Sequence, residues 1–324
     1  MMSILKRGIM KKFKLSDFTS YSKIIVGYHK DCMDGLGSAY VAEARFSGYG
    51  HLNVEYIPLD YNKKEDLFAA INSTNTLVYL LDFSLKADEY LRLYELIDYC
   101  VTIDHHATAY DTVAHFGESA FRDKLEFHLN STMSGAMMSL LYFDKLPVYE
   151  KRPLEVNRMI IKYIQDRDLW NFYLSNSEEI NAAIAHLTKP NDIESMKYVG
   201  LCEETYLINV GTTIVRERNA YINKRLKDAV HINFCGYEFT AINTTILESE
   251  LGNALVREFN KPSISYQITK DGKLKCSLRT ADHLTSVEEF ARSYGGGGHR
   301  NAAGMTIELY NLPIILNSEF KVLP

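Results

Sequence analysis

Cysteine is scarce and scattered in this chain. The five, Cys32, Cys100, Cys202, Cys235 and Cys276, are odd in number, and no two are spaced as CxxC. That excludes a disulfide framework and a thiolate zinc knuckle, and it fits a reduced cytoplasm. No apolar run is long enough to cross a bilayer, so no membrane partner is expected. The N-terminal MMSILKRGIMKKFKL is basic but has no continuous apolar segment behind its charges; no signal peptide is expected, and Met10 offers an internal start. Nor is there a basic excess, since 36 Lys and Arg stand against 41 Asp and Glu, a net charge of −5. A long nucleic-acid duplex calls for a basic face and is disfavoured, whereas a short anionic substrate needs only a local positive site. The 22 tyrosines lack the basic interleaving of a single-strand platform and read as packing residues.

What is there is a chain of 324 residues, 46% of them hydrophobic, enough for two domains with a core each. KIIVGY at 23–28 reads as a buried strand, followed by a glycine-containing turn and a helix from Leu36 to Phe46. Further strands are read at 53–59, 76–84 and 99–103, with helices at 63–71 and 86–98 between them. The alternation predicts an α/β domain, a mainly parallel sheet flanked by helices. The pattern then turns helical, over 131–143, 154–165 and a long amphipathic stretch at 204–230 interrupted only by Gly211. A strand pair at 232–244, a helix at 248–259 and a hairpin at 263–280 turning on Asp271-Gly272 make a smaller α/β domain. The division is an extension over 1–22, a first domain over 23–190, a connecting helix over 191–230 and a second domain over 231–324.

Residues that carry chemistry gather where strands end. YCVTIDHH closes an apolar run on Asp104-His105-His106, at the strand edge where open α/β sheets hold ligands. His29-Lys30-Asp31-Cys32-Met33-Asp34-Gly35 follows the first strand, Asp82 ends LVYLLD, and Gln165-Asp166-Arg167-Asp168 follows the helical run MIIKYI. A carboxylate-rich set with a few imidazoles suits Mn²⁺ or Mg²⁺ better than a thiolate-seeking ion, which disfavours Cys32 as a ligand. Downstream, Gly295-Gly296-Gly297-Gly298-His299 opens the backbone to an anion, and Arg279 ends a strand with a guanidinium fitted to phosphate.

The Asp104-His105-His106 and GGGGH pair resembles the DHH phosphoesterase family with its DHH-associated C-terminal domain, over about Lys23 to Ile307. The resemblance implies a metal-dependent hydrolase of phosphoester bonds, with two Mn²⁺ or Mg²⁺ ions activating water and stabilising phosphoryl charge. It places His29, Asp31, Asp34, Asp82, His105 and Asp166 at metal-ligand positions, Asp82 bridging the two ions. Asp31 fits least well, because two residues separate it from Asp34 where the family commonly has one. Asp104 would orient His105, with Asp82, Asp104, His105 and His106 as the catalytic set and His106 facing the substrate. Substrate contacts would come from Arg279, Gly296, Gly297, Gly298, His299 and Asn301, the last opening Asn301-Ala302-Ala303-Gly304.

Plainer readings stand beside these. Asp82 could cap the helix over 86–98, and Asp168, the lesser choice beside Asp166, could pair with Arg167. Ser131, Thr132, Ser134 and Gly135 either start a helix or touch phosphate, as Gly35 and Gly37 could. Trp170, the single tryptophan, reads as core packing before base stacking, and His128 is unassigned. The reading preferred is a phosphodiesterase cutting short oligoribonucleotides or linear dinucleotides to mononucleotides. Alternatives are a cyclic-dinucleotide phosphodiesterase, a nucleotide 3′-phosphatase, an exopolyphosphatase, a single-strand DNA exonuclease, or a non-catalytic dinucleotide sensor. A homodimer is kept open.

Overall fold

Two units divide the chain, Met1–Ile214 and Val215–Pro324. The computed structural model describes residues 18–61, 63–116, 123–146, 154–311 and 321–322. Residues 1–17, which make up most of the expected extension with its candidate start Met10, lie outside them. Phe18, also in that extension, is buried edge-on against Phe46 and Tyr49.

The first unit opens with β1 (Lys23–His29), α1 (Met33–Phe46), β2 (Val54–Leu59), α2 (Glu65–Ala70), β3 (Thr76–Leu81), α3 (Ala87–Tyr94), β4 (Tyr99–Asp104), α4 (Ala107–Phe116) and β5 (Leu125–Leu129). The strands form one sheet in the order β2-β1-β3-β4-β5, every pair parallel. This is the expected α/β layout with one added strand. LEFHL at β5 is short and half polar, and its pairing with β4, not its composition, makes it a strand.

Helices cover both faces, as a parallel sheet requires. Side chains alternate along each strand, so Ile24, Val26, Tyr28, Leu77, Tyr79 and Leu81 enter one core while Ile25, Val78 and Leu80 enter the other. The first core is completed by α1 and by α5 (Gly135–Lys145), α6 (Arg158–Asp168), α7 (Ser177–Leu187) and α8 (Ile193–Gly200). Burial on both faces explains why β1 and β3 read as unbroken apolar runs. The strand order reverses between β1 and β3, and their C-terminal ends therefore flank the crevice where such sheets bind ligands.

The helix α9 (Glu204–Arg225) spans the division between the units. The second unit carries β6 (Val230–Phe234), β7 (Tyr237–Asn243), α10 (Glu248–Phe259), β8 (Ser263–Ile268), β9 (Lys273–Arg279), α11 (Glu288–Ser293), β10 (Gly297–His299), β11 (Ala302–Glu308) and β12 (Lys321–Val322). Its sheet runs β10-β11-β9-β8-β7-β6-β12, antiparallel except for β7 with β8. The expected β8–β9 hairpin turns at Gly272, whose φ of +73° suits glycine.

Candidate metal centre

The site is built at the C-terminal ends of β1, β3 and β4. His29 is the last residue of β1, Asp82 follows β3, and Asp104 closes β4 just ahead of His105 and His106. Asp82 has a φ of +53°, a left-handed conformation that aspartate tolerates better than bulkier residues, and its carboxylate is buried. Around it stand His29 Nδ1, 3.4 Å from Oδ2, His105 Nε2, 3.3 Å from Oδ1, and His106 Nδ1, 3.8 Å from Oδ1. His105 Nε2 also lies 3.9 Å from Asp34 Oδ2 and 3.6 Å from Asp168 Oδ2.

Two sets of donors result among the described residues, His29–Asp82–His106 and Asp34–Asp82–His105, the donor atoms of each lying within 4.8 Å of one another. Asp82 belongs to both. His29 Nδ1, Asp82 Oδ1 and His105 Nε2 are buried and make no hydrogen bond, although buried polar atoms are nearly always paired. Two orphaned imidazole nitrogens converging on a carboxylate with an orphaned oxygen of its own fit a divalent cation.

The electrostatics agree. Burial, then the charges of Asp82 and Asp168, pushes the Asp34 carboxyl well above its ordinary range. Burial and Asp82 push Asp168 up to about 6. Burial alone would raise Asp82, but the neighbouring His105, His29 and His106 imidazoles hold it below the usual carboxylate range. Burial would lower His105, yet Asp82, Asp168 and Asp34 raise it to about 10. The carboxylates thus compete for protons, and a cation would take the protons' place.

Asp34 is positioned by a partner far along the chain. Its Oδ2 accepts from Gly135 N at 2.5 Å and its Oδ1 from Ala136 N at 3.0 Å, so the N-terminus of α5 clasps a carboxylate on α1. A side chain at Gly135 would come within 2.6 Å of Asp82 Cβ. The Ser131–Gly135 segment therefore starts a helix, Ser134 Oγ accepting from Met137 N, and its first amides serve Asp34 instead of phosphate. Gly35 and Gly37 are likewise packing positions. A Cβ at Gly35 would collide with the His29 carbonyl oxygen, and one at Gly37 would meet Ile164 and Ala136.

The structure gives several of the expected residues other partners. Asp166 does not reach the cluster. Its carboxylate accepts from Tyr173 N at 3.0 Å and Leu174 N at 3.1 Å, and Asp168, two residues further on, faces His105. Asp31 has a φ of +53° that turns it outward; its side chain is 62% exposed and accepts from Asn191 Nδ2 at 2.7 Å. Cys32 comes inward, its thiol donating to Asp82 Oδ2 at 3.5 Å, and burial followed by the Asp82 charge keeps that thiol protonated in the metal-free site. Asp104 orients the His106 ring, through Nδ1 at 2.7 Å, and touches only the backbone N–H of His105, while Ser84 Oγ donates to its other oxygen at 2.5 Å. That ties His106 into the His29 group, where the expectation had it facing the substrate.

Sequence reading missed Tyr61. Its ring stacks on Phe83 at 4.6 Å and meets His29 edge-on at 5.4 Å. Burial, then the Asp104 and Asp82 charges, hold its phenol protonated well beyond the ordinary range. A tyrosine two residues past a strand carried no signal of this. His128, left unassigned, pairs with Glu126 on β5.

The substrate residues expected in the second unit are strongly bonded within it. Arg279 donates from Nη1 to Ser277 Oγ at 3.0 Å and Leu278 O at 2.7 Å, and from Nη2 to Ser249 Oγ at 2.5 Å. Gly295 N and Gly296 N donate to Arg292 O and Ala291 O, and Gly297, Gly298 and His299 pair with Gly304, Ala303 and Ala302. Gly298 has a φ of +144°, and a Cβ there would collide with Ala302 O, so the glycine run is required by its hairpin. Asn301 Nδ2 donates to Asp282 Oδ1 at 2.6 Å.

No family model matches the chain. It is 25% identical over 311 residues to an uncharacterized protein of Acanthamoeba polyphaga mimivirus, covering 90% of this chain and 69% of that one. It is 23% identical over 315 residues to oligoribonuclease NrnB of Bacillus subtilis strain 168, covering 88% and 74%. Among solved structures, RecJ of Thermus thermophilus in complex with Mn²⁺ has a TM-score of 0.57 at 13% identity, covering 93% of this chain and 52% of that one. The chain thus spans about half the length of that RecJ. The fold is similar to that of RecJ.

Proposed function

We propose that the protein is a metal-dependent phosphodiesterase that hydrolyses short oligoribonucleotides or linear dinucleotides to mononucleotides. The observation that carries the hydrolytic reading is the pair of donor groups sharing buried Asp82, with orphaned atoms on His29, Asp82 and His105. His29, Asp82 and His106 would hold one Mn²⁺ or Mg²⁺ ion, and Asp34, Asp82 and His105 the other, with Asp168 beside His105. When bound, such ions supply an activated water and neutralise charge on the phosphoryl oxygens. The chain's own part is to fix the donors. Asp104 sets the His106 ring, the α5 amides set Asp34, and the positive φ of Asp82 aims its carboxylate. Without cations, the Asp82 and Asp168 carboxylates would repel a phosphodiester, so substrate and metal binding are coupled.

The preference for short substrates rests on the net charge of −5 and on similarity to an oligoribonuclease across 88% of the chain. Long strands bind through many phosphate contacts, each needing a Lys or Arg. The test is a turnover screen with Mn²⁺ over dinucleotides, matched RNA and DNA from two to about twenty-five nucleotides, and polyphosphate, at fixed salt. Two- to five-nucleotide RNA should be cut fastest. Equal or faster processive cutting of the longest strands would point to an exonuclease of long DNA or RNA instead.

A further inference from the structure

Asp166 holds four backbone amides of the segment that follows α6. Its carbonyl accepts from Asn171 N at 2.9 Å and Phe172 N at 3.3 Å, and its carboxylate from Tyr173 N and Leu174 N at 3.0 and 3.1 Å. Leu169 N and Trp170 N bond back to Gln165 O and Arg167 O. This fastening forces two aromatic residues into left-handed backbone, Trp170 at φ +57° and Phe172 at φ +52°. Bulky residues rarely adopt that conformation, and such strain gathers where a segment must present its side chains in one way.

What is presented is aromatic and open to solvent. Trp170 is 40% exposed, Tyr173 85% and Leu174 37%. Phe172 meets Trp170 edge-on at 5.0 Å, and the Arg167 guanidinium lies 5.4 Å from the Trp170 ring centroid. Trp170 is therefore not the core residue that its composition suggested. The segment starts at the metal centre. Asp168 Oδ2 is 3.6 Å from His105 Nε2, and two residues of chain span at most about 7.6 Å. An exposed indole face with an adjacent guanidinium, in a segment fastened by Asp166, suits the flat face of a nucleobase, and stacking of this kind is tolerant of base identity.

We propose that Trp170, Phe172 and Tyr173 form a shelf on which a nucleobase of the substrate stacks, next to the phosphodiester held at the metal centre. This rests on the reading of the substrate as a nucleotide. It makes Asp166 a positioning residue for the shelf, and it separates nucleotides from bare polyphosphate, which has no ring to stack.

Because Trp170 is the single tryptophan, its fluorescence reports on this loop alone. The full chain with Mg²⁺ is titrated with a non-hydrolysable methylenephosphonate diadenylate, with the same backbone carrying abasic sites, and with tripolyphosphate. The diadenylate should quench Trp170 saturably, and the other two should not. Tyr173→Ala, whose side chain is exposed, should raise the diadenylate Kd and the dinucleotide KM roughly tenfold, with kcat and metal titration unchanged. Equal quenching by the abasic analogue or tripolyphosphate, or an unchanged Kd in Tyr173→Ala, overturns the shelf. A change that follows protein concentration instead of nucleotide also overturns it, assigning the loop to contact between copies of the chain. Turnover of hydrolysable diadenylate is measured alongside. Turnover without base-dependent quenching defeats the shelf and leaves the function standing, whereas neither turnover nor binding of any nucleotide defeats both.

Discussion

At the N-terminal edge of the first sheet, Lys23 donates to Ala70 O at 2.8 Å and pairs with Glu55 at 2.8 Å, Thr76 N donates to Asp98 Oδ2 at 2.9 Å, and Thr76 Oγ1 donates to Ser73 O at 2.9 Å. At the C-terminal edge of the same strands, His29 Nδ1, Asp82 Oδ1 and His105 Nε2 have no hydrogen bond. Both edges mix charged groups with buried backbone, so composition does not separate them. The difference lies in satisfaction. One edge pairs its polar atoms and contributes stability, while the other leaves donors aimed at a common point, an arrangement that is unfavourable until a cation arrives. A buried polar residue is therefore best judged by whether its atoms have partners.

The largest expected effect falls on the unsatisfied edge. Asp82→Ala should reduce turnover to background while the metal-free protein stays folded, and exhaustive chelation of the wild type should do the same, reversed by Mn²⁺. Mn²⁺ should raise the Tm of the wild type and leave Asp82→Ala unmoved. Near-normal turnover in Asp82→Ala would erase the contrast between the edges.

Proton competition comes next. Imidazole takes a cation only when deprotonated, and the Asp82, Asp168 and Asp34 charges that outweigh burial raise His105 to about 10. The protonated form is favoured below that value, so apparent Mn²⁺ affinity should climb as pH rises, by up to about tenfold per pH unit through the neutral range. Calorimetric titrations at several pH values, with proton release measured, check the slope; a flat profile would remove His105 from the ligand set.

Two aspartates two residues apart sharpen the comparison further. Asp168→Ala should weaken metal binding, because its carboxylate faces His105. Asp166→Ala should spare metal titration but raise KM and lower stability by about 1–3 kcal/mol, since it takes a charged acceptor from the Tyr173 and Leu174 amides. The reverse pattern would restore Asp166 as the ligand. The smallest effect on activity belongs to the satisfied edge. Asp98→Ala should lower stability by about 1–3 kcal/mol, by stripping the acceptor from buried Thr76 N, with kcat and KM unchanged.

Much of the candidate site was legible because strand ends are local features. An apolar run that stops on Asp104-His105-His106, or on Asp82, marks an edge whatever the rest of the chain does, and parallel strands align such ends at one side of the sheet. The glycine run was legible as a motif but its first task was not. Its tight contacts with β11, such as Gly298 against Ala302, are seen only once the hairpin is paired. Strand β5 was hidden because a short, half-polar segment gains its identity from a neighbour's hydrogen bonds.

By itself, the sequence determined the α/β order, the two-faced core of β1 and β3, and the ends on which His29, Asp82 and the Asp104–His106 triplet stand. Hydrophobic periodicity is written residue by residue and needs no distant partner. Tertiary structure alone decided which carboxylates gather at those ends. Asp31 turns away and Cys32 turns in because one residue takes a positive φ. Asp34 is held by amides 101 and 102 residues further along, and Asp166 is drawn to the loop that follows it while Asp168 meets His105. A side chain's direction depends on single backbone angles and long-range acceptors, and neither leaves a periodic trace in the chain.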